Sequence, residues 1–219
     1  MKVHQCFKHG AAIALLAITL FGCSGAATPD AVEGKQYTLL SPPQTPETQG
    51  KIEVIEFFSY GCPHCYHFHP LIDAWAAKLP PNVTLVRVPV SFGRAQWGQL
   101  VRTFYTLQAL GELKRLDGAF FDAIHKDQRP LFDEESITAW AASKGIDAAK
   151  FRETFESPAV TAKALHANDM STSYQVDGVP KMVVGGKYIV QASTFQEMLE
   201  NTDLVLAKAA AGGGAQGGK

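Results

Sequence analysis

Strand-like patterning occurs in two places only, and everything between them, from Gln96 to about Tyr174, has helical periodicity. Ile52–Phe58 is a short apolar run with an acid, Glu56, inside it, and reads as a buried strand. Residues 62–79 follow with apolar positions at Phe68, Leu71, Ile72, Trp75, Ala76 and Leu79, one face of a helix in which Pro70 predicts a kink. Val83–Val90 alternates like a second strand. Strand signals return at Val179–Val184, turn at Gly185-Gly186 and answer at Lys187–Val190, and Thr194 with Glu197 opens a last helix to about residue 208. A sheet built from such distant halves has to close around the helical stretch. The expected fold class is therefore α/β, one domain interrupted by an all-helical insertion.

The insertion divides into five helices. Trp97, Leu100, Val101, Phe104 and Tyr105 mark the first, and Leu113, Leu116, Phe120 and Ile124 the second. Asp133 and Asp147 are placed to cap the third and fourth, and Ser157-Pro158 opens the fifth by the N-cap and N1 preferences. Trp75, Trp97 and Trp140 fall at core spacing, and core packing is at least as good a reading of Phe68 and Met182 as an apolar groove. His125 and His166 stand alone.

The N-terminus reads as an address. Lys2 and Lys8 precede the apolar run Ala11–Phe21, too short to span a bilayer but suited to a signal peptide. Gly25-Ala26-Ala27 offers a cleavage site, giving a signal peptide of residues 1–27. Leu20-Phe21-Gly22-Cys23 offers a lipobox, with residues 1–22 removed and Cys23 lipidated as an N-terminal anchor. Residues 28–50 would be a lead-in or tether, and residues 209–219 a flexible tail. The net charge of −1 gives no reason to expect nucleic-acid binding. Of four cysteines, Cys6 and Cys23 belong to the export segment. The working protein keeps Cys62 and Cys65.

Cys62-Pro63-His64-Cys65 sits where the strand hands over to the helix. Unpaired amides and the positive end of the helix dipole favour a thiolate at Cys62 and lower its pKa. A protonated His64 adds to that. Stabilising the thiolate stabilises the reduced form and makes the disulfide more oxidising. Cys65, one turn deeper, is the shielded resolving thiol. Two other readings stay open. A structural disulfide would close so short a loop that it constrains the unfolded chain little. A metal set of Cys62, Cys65, His67 and His69 asks two histidines two positions apart to converge, which a helix does not allow. His67 and His69 read best as the polar edge of the helix.

The segment Glu56-Phe57-Phe58-Ser59-Tyr60-Gly61-Cys62-Pro63-His64-Cys65-Tyr66 resembles the active-site segment of the DsbA family of periplasmic thiol:disulfide oxidoreductases. Gly178-Val179-Pro180 followed by Gly185-Gly186-Lys187-Tyr188 resembles that family's cis-proline loop and hairpin. The resemblance covers about residues 36–208. It implies a thioredoxin fold formed by residues 51–95 and 175–208, with the helical domain at 96–174. It further implies Cys62 as nucleophile, Cys65 as its buried partner, Val179 and Pro180 as the substrate-facing loop, and Glu56 as a buried acid able to shuttle protons. Arg87 falls where the family commonly has a lysine beside that acid, and an arginine would hold Glu56 ionised more firmly. No cofactor beyond the Cys62–Cys65 disulfide is expected. The expected partners are reduced exported polypeptides and a DsbB-type membrane oxidase, for a monomer in the periplasm of a Gram-negative bacterium. A reductase or isomerase on the same fold, or a chaperone or metal-binding module with a structural C-x-x-C, remains the alternative.

Overall fold

A computed structural model describes residues 30–213. The export segment with Cys6 and Cys23, and the end of the tail, lie outside the described residues. Strands β1 (Tyr37–Leu39), β2 (Ile52–Phe58), β3 (Val83–Pro89), β4 (Lys181–Val184) and β5 (Tyr188–Val190) form one sheet in the order β1-β5-β4-β2-β3. Only β2 and β3 run parallel, with Ile52 opposite Val83 and Glu56 opposite Arg87. The other neighbours are antiparallel. A parallel pair needs a crossover, and helix α1 (Pro63–Ala76) supplies it. Central β2 is covered on both faces, which is why it reads as a nearly continuous apolar run. Val54 packs with Phe68, Ile72, Met182 and Leu199, from α1, β4 and α7 (Phe195–Gly213). Ile55 and Phe57 join the larger core on the other side, together with Leu100, Phe104 and Tyr174.

Five helices lie between β3 and β4: α2 (Ala95–Ala109), α3 (Leu113–His125), α4 (Glu134–Ser143), α5 (Ala148–Glu156) and α6 (Pro158–Ser173). The caps of α4, α5 and α6 are those the residue types predict, while α2 and α3 start without a side-chain cap. Asp133 accepts from the Ser136 amide, Asp147 from Lys150 and Ser157 from Val160. Trp140, Phe120, Phe151 and Phe155 fill the interior of this layer.

Several expectations are corrected. The lead-in is not a loose tether throughout, because Tyr37–Leu39 add an edge strand to β5 and Tyr37 buries its ring edge-on to Tyr188, centroids 5.0 Å apart. Helix α7 continues to Gly213 instead of stopping near 208, because Ala209–Ala211 are strong helix formers. Pro70 stands inside α1, where the sequence places it. Phe68 and Met182 take the core reading, both being fully buried. All three tryptophans pack on the core, but only Trp140 is fully buried. Trp75 is half-buried and donates Nε1 to Asp203 at 2.8 Å, while Trp97 lies over the loop before α1.

Candidate active site

The loop Ser59–Gly61 carries the chain from β2 into α1. Gly61 passes so close beneath Trp97 that a Cβ there would lie 2.7 Å from Nε1 of the indole. Cys62 is the N-cap of α1 in extended backbone conformation, and Pro63 occupies the first turn, where no amide is missed. Pro63 and His64 are exposed, Cys62 is 7% exposed and Cys65 fully buried. Both cysteines are free thiols in this structure.

Burial and helix position divide the two thiols. Cys62 is lowered to about 6, chiefly by the hydrogen bond from the Cys65 thiol. Burial opposes this. The amides of Cys65 and His64 and the charge of His64 assist it, although neither amide closes a full capping hydrogen bond on Sγ. The largest contribution is thus the partner thiol rather than the helix end. Cys65 is pushed strongly upward, first by burial, then by the hydrogen bond to Cys62 and the nearby negative charges. One sulfur is poised to be a thiolate at neutral pH and the other to keep its proton.

Val179 and Pro180 immediately precede β4, joined by a cis peptide. The Val179 carbonyl accepts from Cys62 Sγ at 3.5 Å. His64, Val179, Pro180, Thr194, Phe195 and Met198 line a shallow, mostly apolar groove beside the thiol, so the start of α7 contributes a surface that the motifs alone did not reveal.

Beneath the cysteines Glu56 is fully buried. Arg87 Nε donates to Glu56 Oε2 at 2.5 Å, as the β2–β3 register allows. Arg87 Nη1 also donates to Asp117 on α3, and the Tyr60 hydroxyl donates to the same carboxylate. Burial raises the Glu56 carboxyl, against the lowering effect of Arg87 and with the Asp117 charge adding to the rise. The firm ionisation expected from an arginine at 87 is therefore offset, first by burial and then by the Asp117 charge. Burial disfavours the Arg87 charge, but Glu56 and Asp117 outweigh it and leave its pKa raised.

Asp117 and His69 were missed. Asp117 shares the apolar stripe of Leu113, Leu116 and Phe120, and an acid at such a position was the available signal. His69 is not at a polar edge. It is buried against Phe121, with Nδ1 3.7 Å from Asp117 and Nε2 3.4 Å from Asp73. His67 is exposed, and among the described residues no three or more cysteine, histidine or acidic side chains gather as a metal set. His125 is not isolated, since Nε2 lies 2.7 Å from the Tyr60 carbonyl and its ring stacks on Tyr66. His166 pairs only with exposed Glu47.

Two cysteines one turn apart at the start of the helix that follows the central strand, facing a proline loop, define a thiol:disulfide oxidoreductase with a thioredoxin fold. Comparison with known proteins gives the family. A DSBA-like thioredoxin domain model matches residues 87–202. The thiol:disulfide interchange protein DsbA of Bordetella pertussis is 42% identical over 179 residues, 82% of this chain and 83% of the relative. That of Pseudomonas aeruginosa is 41% identical over 199 residues, 89% and 93% of the two chains. Among solved structures, P. aeruginosa DsbA superposes with a TM-score of 0.78 at 40% identity, covering 82% of this chain and 95% of the other. Xylella fastidiosa DsbA gives 0.78 at 32% identity, covering 82% and 98%. The chain belongs to the DsbA family.

Proposed function

We propose that this chain is an exported thiol:disulfide oxidase that introduces disulfides into reduced, unfolded polypeptides in the periplasm. Among the described residues no helix is long and apolar enough to cross a membrane. In the oxidised enzyme a substrate thiolate attacks Cys62 Sγ. The Cys62–Cys65 bond breaks, and the electron pair and a proton end on Cys65. A second substrate thiolate attacks the substrate sulfur of the mixed disulfide, and Cys62 leaves as a thiolate. The substrate dithiol loses two electrons and the enzyme disulfide gains them. The attack falls on Cys62 because Cys65 is buried, and the leaving group at resolution is good because its thiolate is stable.

The Val179 carbonyl beside Cys62 supports a short strand-like pairing with the substrate backbone, and the apolar groove formed with Phe195 and Met198 supports contact with unfolded chains of varied sequence. The disulfide is restored by a membrane oxidase of the DsbB type, and the enzyme acts as a monomer. The observation that carries the reading is the lowered Cys62 thiol at the N-cap of α1, because it favours the reduced enzyme and so electron flow from substrate to enzyme. Oxidative refolding of a reduced disulfide-containing protein tests it. The oxidised enzyme should restore that protein's activity stoichiometrically, and Cys62→Ser should abolish the effect. Refolding that proceeds equally well with Cys62→Ser would remove Cys62 from the mechanism.

A further inference from the structure

The charge site beneath the cysteines holds two carboxylates and one guanidinium, and the carboxylates are not equivalent. Glu56 accepts one donor, Arg87 Nε, on Oε2, while Oε1 is buried without a partner. Asp117 uses both oxygens. Oδ1 accepts from the Tyr60 hydroxyl, and Oδ2 accepts from Arg87 Nη1 and lies 3.7 Å from His69 Nδ1. The groups that act on the Glu56 charge are Arg87 from β3, His69 from α1 and Asp117 from α3, and that charge in turn acts on Tyr60 in the β2–α1 loop and on Cys65 of α1, while the β4 neighbour, Met182, is apolar. Each donor to a carboxylate favours its charged form, while burial and a like charge disfavour it. Glu56 has the fewer donors and the deeper burial, 0% against 7% exposed for Asp117.

We propose that Asp117 is a positioning residue for thiol exchange: by drawing on the charge of Arg87 it leaves Glu56 as the carboxyl that takes up a proton and exchanges it with Cys65. When the disulfide is attacked, Cys65 leaves as a thiolate and the Glu56 acid gives it a proton. The carboxylate so formed rests on Arg87. When Cys65 is reoxidised, its thiol returns that proton to Glu56 as the sulfur attacks. The helical insertion thus sets the proton inventory of the redox centre through one side chain of α3. The direction of the rise at Glu56, to which burial and Asp117 contribute, agrees with this. The proposal rests on thiol exchange at Cys62–Cys65 but not on the direction of electron flow.

Carboxyl carbon NMR of the reduced protein, labelled on glutamate and aspartate, tests it with no variant. Glu56 should take up the proton at a midpoint above ordinary glutamates. Asp117→Asn, which keeps an acceptor for Tyr60, should lower the Glu56 midpoint by about one pH unit, a tenfold change in proton affinity. Asp117→Glu should restore it. A Glu56 midpoint no higher than that of ordinary glutamates, or one that does not move in folded Asp117→Asn, would overturn the proposal. These titrations are readable whether or not Cys62→Ser still supports refolding, so the two readings fail separately.

Discussion

At the scale of single residues, the contrast between Cys62 and Cys65 follows from one turn of helix and the loss of water around the deeper sulfur. Since the Cys65 thiol is the first contributor to the lowered Cys62, Cys65→Ala should raise Cys62 above its midpoint of about 6. The pH dependence of alkylation reads this directly, and a midpoint that does not move would transfer the effect to the helix amides. Gly61 is set by contact with Trp97 and Leu100. Gly61→Ala should cost about 1–3 kcal/mol in urea unfolding, as overpacking does. The sequence segment from Glu56 to Tyr66 made the thiols and the buried acid legible, and Gly178-Val179-Pro180 the proline loop. Asp117 and His69 were not, because a periodic apolar pattern tells which face is inside but not that two polar residues on facing helices, with Arg87, share one buried site.

At the scale of elements, helix starts were the most legible features, because a cap is a local bargain between one side chain and one amide. Asp147→Ala should cost about 1 kcal/mol of stability in chemical denaturation, without changing thiol reactivity. Strand β1 was illegible for the opposite reason. Three residues give no alternation to read, and what holds them is pairing with β5, at the far end of the fold in sequence. Tyr37 is 5% exposed, so Tyr37→Ala should cost about 3 kcal/mol in thermal unfolding. A loose tether at that position would lose nothing. The hairpin β4–β5 is likewise more than a local turn, since Gly186 lets the Gln44 backbone come so close that no Cβ would fit.

At the scale of the whole molecule, the order of strand and helix patterns was enough to give a sheet split by a helical insertion. It was not enough to show that the insertion reaches back into the centre through Asp117. The thiol shift also has a global consequence. Cys62 is lower in the folded protein than its ordinary value near 8.5, so it stabilises the reduced fold above that value, and this contribution fades as pH falls through about 6. Cys65 is raised and keeps its proton in both states below about pH 8.5, so it adds nothing in this window. The unfolding free energy of the reduced protein relative to reduced Cys62→Ser should therefore grow as pH rises from about 6 to about 8.5. The same preference for the reduced form should make the disulfide a strong oxidant, and equilibration of the Cys62–Cys65 pair with glutathione buffers measures it most directly. The account predicts a reduction potential well above the value of about −270 mV typical of thioredoxin. A potential at or below that value would contradict it.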